Sequence, residues 1–149
     1  PLPTEDSEIT DLLHGMGREF GATTGRARRC GWFDSVATRH ATMVNGIDEI
    51  VVTKLDVLDE QDSLKLCTAY KYNGRVHDNF PSDIKVFTGC EPIYEELPGW
   101  KSDTTQITSY ARLPKNAKNY LKRIQSLLKT KIVLVSVGSD RKQTFAKGA

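Results

Sequence analysis

The apolar positions near the start of the chain recur at helical spacing in two segments. In the first segment they predict a helix over about residues 5–16, with Thr4 as its N-cap. In the second they predict a helix that begins at Asp34 or Ser35 and ends before Asn45, which is followed by glycine. The glycine-punctuated stretch between these helices is expected to form a loop.

Two short runs of β-branched and aliphatic residues predict buried strands, at residues 47–52 and 132–135. Each run follows a helical segment, and the second of these helices is predicted from Pro114 to about residue 128. Between them, the alternating residues 64–72 precede Asn73-Gly74, which predicts a β-hairpin. Helix followed by buried strand, twice over, predicts an α/β fold with an antiparallel hairpin excursion.

The segment after the hairpin predicts an edge strand around residues 92–94 and a turn at residues 98–100. The sequence holds no internal repeat, and no stretch rich in Pro, Gly or Ser divides it. Residues 1–149 are therefore expected to form a single domain.

Composition narrows the classes of partner. The 21 basic and 19 acidic side chains of the 149 residues leave a net charge of +2, which disfavours a nucleic-acid coat or a polybasic membrane face. No apolar run approaches the roughly 20 residues of a membrane span. The three cysteines have no metal-ligand spacing and are expected to be buried thiols in a reducing compartment. Since no initiator Met and no signal segment is present, we expect a fragment of a longer cytoplasmic protein.

The first candidate site follows the predicted strand at residues 47–52. Lys54 and Asp56 are two residues apart, so in an extended segment their side chains would point the same way. A carboxylate accepts two hydrogen bonds at once, which matches the adjacent N–H and NH₂ donors of guanine. After the other predicted strand, the glycine in Ser136-Val137-Gly138 would let a ligand approach the backbone closely. The alternative is an ordinary solvated strand end.

The second candidate site is the loop over residues 22–29, which combines two threonines with three arginines. Guanidinium groups donate in a planar, bidentate manner to carboxylates and phosphates. No aromatic side chains interleave the arginines, so a small, doubly anionic ligand fits better than a nucleic acid. The alternative is a basic surface loop paired with nearby acidic residues.

One feature that a GTP-using enzyme needs is missing from the sequence. The sequence has no GxxxxGK[ST] or comparable phosphate-binding run, and it has no HExxH or GxGxxG motif. The chain thus has candidate recognition groups without a triphosphate cradle.

The sequence contains four longer motifs: EFGATTGRARRCGWFD (19–34), TKLDVLD (53–59), EPIYEELPGW (91–100) and SVGSDR (136–141). In order and spacing they resemble the C-terminal part of the adenylosuccinate synthetase family. The resemblance covers nearly the whole chain. It implies part of a P-loop-NTPase-like mixed α/β sheet with flanking helices and the hairpin excursion. Ser139 and Ala27 depart from the residues common in the family.

The resemblance implies a ligase of purine (AMP) biosynthesis. Such an enzyme joins IMP to L-aspartate with GTP and Mg²⁺, first phosphorylating the 6-oxygen of IMP and then displacing the phosphate with the aspartate amine. It further implies a cytoplasmic homodimer. The phosphate-binding loop, the catalytic residues and the Mg²⁺ site would lie in an N-terminal half absent from this chain, so the chain alone is expected to be inactive.

The resemblance also implies roles for individual residues. The loop that closes over aspartate and IMP would comprise Ala22, Thr23, Thr24, Gly25, Arg26, Ala27 and Arg28. Within it, Arg26 would bridge aspartate and IMP. The GTP-binding residues would be Arg28, Lys54, Leu55, Asp56, Ser136, Val137 and Gly138. The competing hypothesis is a non-catalytic guanine-nucleotide or phosphate-binding module.

Overall fold

The computed structural model describes residues 2–148, which form two compact units. The first unit contains residues up to His40 together with Lys65–Glu95, and the second contains Ala41–Leu64 and the residues from Glu96 onward. The helices are α1 (Ser7–Gly15), α2 (Ser35–Val44), α3 (Ile84–Thr88) and α4 (Lys115–Leu128). The strands are β1 (Phe33–Asp34), β2 (Glu49–Val52), β3 (Ser63–Tyr72), β4 (Arg75–His77), β5 (Glu91–Pro98), β6 (Lys131–Ser136) and β7 (Thr144–Ala146).

The strands form two sheets. In the first sheet β3 pairs with β1 in parallel, with β4 in antiparallel orientation, and with β5. In the second, the order is β2-β6-β7, with a parallel β2/β6 pair and an antiparallel β6/β7 pair. The predicted mixed α/β fold with an antiparallel hairpin is therefore confirmed.

The start of α1 differs from the prediction. Asp6, and not Thr4, caps the helix, because its side-chain oxygen accepts a hydrogen bond from the backbone N–H of Ile9 at 3.1 Å. Thr4 lies two residues earlier, is buried, and its backbone carbonyl accepts a hydrogen bond from the backbone N–H of Trp32. The predicted start of α2 is confirmed, since the Asp34 carboxylate accepts from the N–H of Ala37.

The predicted hairpin is present as β3 and β4. Asn73 and Gly74 both have positive φ angles, +48° and +76°, which is the geometry that makes Asn-Gly favourable in a two-residue turn. One face of β3 contributes Tyr70 to a core cluster with Val36, Cys67 and Cys90. The Tyr70 hydroxyl donates to the Asp34 carboxylate, so the same carboxylate caps α2 and anchors the sheet.

The second unit is built on the parallel pair β2/β6, against which α4 packs. The buried face of α4 presents Ala117, Tyr120, Leu121, Ile124 and Leu128, and the helix ends at the predicted residue 128. The prediction of two fully buried strands is wrong. Val51 is 50% exposed and its register partner Leu134 is 37% exposed, so these two positions are only partly covered.

The predicted turn at residues 98–100 is also wrong. β5 continues to Pro98, and Gly99 then passes directly over the backbone of the segment that precedes β3. A Cβ at Gly99 would lie 1.8 Å from the carbonyl oxygen of Gln61, so only glycine fits this crossing. Among the helices formed by residues 2–148, none has both the length and the apolar character needed to cross a bilayer.

Candidate functional site

The two segments predicted to recognise guanine follow neighbouring strands in the second unit. Val52 of β2 and Val135 of β6 are register partners in a parallel pair, so both strands end at the same edge of the sheet. Lys54 and Asp56 follow β2, whereas Ser136 ends β6 and leads into Val137 and Gly138. In α/β sheets this edge is where ligands usually bind.

The local geometry of Lys54 and Asp56 differs from the extended segment that was predicted. Lys54 has φ +60° and ψ 36°, a left-handed conformation uncommon for lysine, and it begins a 3₁₀ helix over Leu55–Leu58. The carbonyl of Lys54 accepts from Val57 N–H at 3.3 Å. Lys54 and Asp56 therefore share a tight turn at the strand end. The common side-chain direction that was predicted for an extended segment does not apply to them.

The Asp56 carboxylate has one oxygen that is buried and lacks a partner. Its Oδ1 atom is buried and has no hydrogen bond from any residue in the described part of the chain. Burial raises the pKa of Asp56; a hydrogen bond from its own backbone N–H and the charge of Lys54 oppose this, and the charge of Asp103 raises the pKa further. Buried carboxylate oxygens are normally hydrogen-bonded, so this atom is suited to receive a donor from a ligand.

The remaining residues of the two segments act through their backbone or within the loop itself. The side chains of Leu55 and Val137 are buried in the core, which leaves only their peptide groups for a ligand. The Ser136 hydroxyl donates to the carbonyl of Gly138 at 2.8 Å and accepts from the hydroxyl of Thr144. This internal bonding fixes the turn after β6.

The arginine loop lies in the first unit, where it forms a narrow hairpin. Phe20 and Ala27 form an antiparallel bridge, and Gly21 N–H donates to the carbonyl of Arg26 at 2.8 Å. At the tip, Gly25 has φ +65°, and its N–H donates to the carbonyl of Gly21. The predicted substrate residues after Gly21, which are Ala22, Thr23, Thr24, Gly25, Arg26, Ala27 and Arg28, are all exposed.

The three arginines have different partners. Arg28 forms an ion pair with Glu19 at 3.3 Å, and Arg29 forms a bidentate pair with Glu5. The hydrogen bond from Arg29 lowers the pKa of Glu5. Arg26 has no acidic side-chain partner among residues 2–148, so its guanidinium is the one in this loop that can take an anionic ligand without first breaking an ion pair.

Sequence reasoning missed the residues that hold the base of this hairpin. His14 Nε2 lies 2.7 Å from the carbonyl of Arg28, and its ring stacks on Phe20 with 5.1 Å between centroids. Since a carbonyl can only accept, the imidazole must carry its proton on Nε2. The spacing from His14 to Phe20 and Arg28 follows no helical or strand period, so no local pattern could have identified this contact.

The first unit also contains a cavity of about 420 Å³ beneath the arginine loop. Its walls include the paired Glu19 and Arg28 and the aromatic ring of Trp32. The part of the chain that the structure describes has no group of three His, Cys, Asp or Glu side chains that could hold a metal ion.

The fold and these residues define a class: a mixed α/β protein that presents polar recognition groups at the ends of parallel strands, as nucleotide-binding proteins do. The family model described as adenylosuccinate synthetase matches residues 1–145. The chain belongs to the adenylosuccinate synthetase family.

Individual relatives agree with this assignment. The chain is 52% identical to the adenylosuccinate synthetase of Gloeothece citriformis, a match that covers 97% of this chain and 32% of the relative. It is 50% identical to the synthetase of Trichlorobacter lovleyi over 97% of this chain and 34% of the relative. The solved structure of the fully ligated adenylosuccinate synthetase from Plasmodium falciparum matches with a TM-score of 0.92 and 37% identity, covering 99% of this chain and 36% of that one. The chain thus spans about a third of the length of its relatives.

Proposed function

We propose that this chain is the C-terminal portion, a single domain over residues 1–149, of a GTP-dependent ligase that joins IMP and L-aspartate to form adenylosuccinate. The reaction belongs to purine nucleotide biosynthesis and proceeds through 6-phosphoryl-IMP. Phosphorylation turns the 6-oxygen into a leaving group, and the aspartate amine then replaces it at the ring carbon. The chain supplies recognition groups, and the rest of the synthetase supplies the phosphate cradle, the catalytic residues and the Mg²⁺ site.

The observation that carries this proposal is the partnerless, buried Oδ1 of Asp56 at the shared edge of β2 and β6. Guanine presents N1–H and the 2-amino group side by side, and the two oxygens of a carboxylate can accept both. Adenine has an acceptor at N1, so it would leave the carboxylate unsatisfied. The stem of Lys54 would lie along the base. The peptide groups of Leu55, Val137 and Gly138, with Ser136, would complete the base site.

The arginine loop is proposed to bind the other two substrates. Thr23 and Thr24 would donate to the carboxylates of aspartate, while Arg26 would bridge aspartate and IMP. The absence of an acidic partner for Arg26 in the described chain supports this role, because binding would not compete with an internal ion pair. Arg28, the more exposed member of its pair with Glu19, would leave that pair and reach towards aspartate and the nucleotide phosphates.

Two further features belong to this proposal. A cytoplasmic location is supported by three cysteines that are all free thiols. Homodimer formation is carried over from the family resemblance. Binding of nucleic acid or membrane is not part of the proposed function.

The test is a chimera in which this chain replaces the matching third of the Gloeothece citriformis synthetase, called the chimera below. We expect the chimera to form adenylosuccinate in a reaction that requires IMP, aspartate and GTP. The chain alone should show no IMP- and aspartate-dependent GTP hydrolysis, because it has no triphosphate cradle. A folded chimera without activity, or an active isolated chain, would contradict the proposal.

The absence of a phosphate-binding run from the sequence favours a second candidate, a non-catalytic module that binds guanine nucleotide or phosphate. The mass of the native gene product separates the two. A product about three times the length of this chain supports the ligase, as its relatives are that long. A native product of one domain's size supports the module.

A further inference from the structure

A buried carboxylate that the proposed chemistry does not use lies directly below Asp56. Asp59 is 5% exposed and follows Asp56 by three residues, one turn of the 3₁₀ helix, where its N–H donates to the carbonyl of Asp56 at 3.1 Å. The residues on a 3₁₀ helix that are three apart lie above one another. Asp59 and Asp56 therefore lie on the same side of this turn.

Asp59 is held by a segment far away in the sequence. Trp100 Nε1–H donates to its Oδ1 at 2.6 Å, and the backbone N–H of Thr104 donates to its Oδ2 at 2.6 Å. The Thr104 hydroxyl lies 3.0 and 3.1 Å from the two oxygens. Burial raises the pKa of Asp59, the bonds from Trp100 and Thr104 oppose this, and the charge of Asp56 raises the pKa further. We call residues 100–105 the strap.

The strap also holds the second candidate guanine segment. The carbonyl of Thr105 accepts from Gln143 Nε2 at 2.9 Å. The side-chain oxygen of Gln143, Oε1, accepts a hydrogen bond from Asp140 N–H at 2.8 Å. The backbone carbonyl of Gln143 accepts one from Val137 N–H at 3.0 Å. The Gln143 side chain lies against Gly138, where a Cβ would come within 2.2 Å of Oε1.

We propose that the strap fixes the separation of the two guanine segments, with Asp59, Thr104 and Gln143 as positioning residues for base recognition. This inference rests on the proposed function, since it concerns the same base site. Neither Asp59 nor Thr104 is exposed enough to touch a ligand, so both act through Asp56. Base selectivity is the difference in binding free energy between two bases in the same pocket. It depends on the placement of the acceptor atoms to within a few tenths of an ångström.

The experiment measures kcat/KM of the chimera for GTP and for ITP, whose base lacks the 2-amino group. Thr104→Val removes the hydroxyl that bonds Asp59 and keeps the shape of the side chain, whereas Thr104→Ser keeps the hydroxyl and removes a methyl group. We expect Thr104→Val to lower the GTP-to-ITP ratio about fivefold, the effect of a partly lost buried hydrogen bond. Thr104→Ser should retain the parent ratio, and KM for IMP and aspartate should not change in either variant.

Thr130→Val is the matched control. Thr130 is also buried in the second unit, but its hydroxyl bonds the carbonyl of Leu128 at the end of α4, away from the strap. It should cost stability without changing the GTP-to-ITP ratio. Gln143→Met tests the other end of the strap and should lower the ratio even if Thr104→Val does not fold.

Asp56→Asn separates the failure of this inference from failure of the proposed function. If Asp56→Asn changes the ratio but folded Thr104→Val and Gln143→Met do not, the strap has no positioning role. Equal losses in Thr104→Val and Thr104→Ser would likewise overturn it, since packing would then be the cause. If Asp56→Asn leaves the ratio unchanged, the base site itself is wrong and the inference fails with it.

Discussion

Asp56→Asn is the substitution for which the structure gives the sharpest expectation. The carboxylate of Asp56 has a buried Oδ1 without a partner, and burial raises its pKa. Asparagine keeps the size of the side chain but replaces one acceptor oxygen with an NH₂ donor. That donor would face a donor of guanine, so one charge-assisted hydrogen bond is lost and a second is weakened.

The expected magnitude follows from these two bonds. Hydrogen bonds to charged groups contribute about 1.5–3 kcal/mol each, so the loss of one should weaken GTP by about 2 kcal/mol. This corresponds to about 30-fold in kcat/KM. ITP lacks the 2-amino group and should be affected much less, so the GTP-to-ITP ratio should approach unity. XTP has a carbonyl at this position, to which the new NH₂ can donate, and it should gain relative to GTP.

The assay is the initial rate of adenylosuccinate formation by the chimera with each triphosphate at saturating IMP and aspartate. Asp48→Asn is the control, because Asp48 is an exposed carboxylate of the same unit that precedes β2 and lies outside the strap. It should leave the GTP-to-ITP ratio unchanged. The Asp56→Asn protein should be at least as stable as its parent, since a buried charge is removed. An unchanged ratio in the folded variant would refute the assignment of Asp56.

Three other predictions concern the first unit. Arg26→Leu in the chimera should lower kcat/KM for both IMP and aspartate by about 10-fold to 100-fold. Arg29→Leu should not lower it, because Glu5 already holds the guanidinium of Arg29. An effect of Arg26→Leu on one substrate only would contradict the bridging role. Gly31→Ala should destabilise the chain by about 2 kcal/mol or more in urea unfolding, as a Cβ there would lie 2.0 Å from a backbone oxygen. Gly15→Ala, where a Cβ meets nothing within 4 Å, should be nearly neutral, and similar losses for both glycines would contradict the packing argument. The lowered pKa of Glu5 means that its pair contributes stability above its ordinary pKa of 4.5, and that this stability is lost as the pH falls through the lowered value. Unfolding of Glu5→Gln should therefore depend less on pH below 4.5, and an unchanged pH dependence would show that the pair contributes nothing.

The elements that the sequence predicted well are those with a local physical signal. The hairpin at Asn73-Gly74 follows from two residues that tolerate positive φ, and α4 follows from a wide apolar face after Pro114. The strands β2 and β6 follow from two β-branched runs that each come after a helix. The short elements without such a signal, including β1, α3 and β7, were not predicted.

The residues of the candidate site stay a prediction, and their local geometry differs from the one that was expected. A lysine at position 54 does not by itself predict a φ of +60°, which arises from the turn in which Lys54 lies. The partners of Asp59 are 41 and 45 residues away, so no window of local sequence could relate them. The exposure of Val51 and Leu134 was not predicted, because a β-branched run indicates a strand but not whether other elements cover one or both of its faces.

The central claim is that Asp56, at the end of β2, receives guanine. The most direct measurement is a crystal structure of the chimera with a bound GTP analogue. The account predicts Asp56 Oδ1 at about 2.7–3.0 Å from N1 or the 2-amino nitrogen of the base, with Gly138 and its neighbours against the same ring. A guanine bound elsewhere, with Asp56 Oδ1 still lacking a donor, would contradict it.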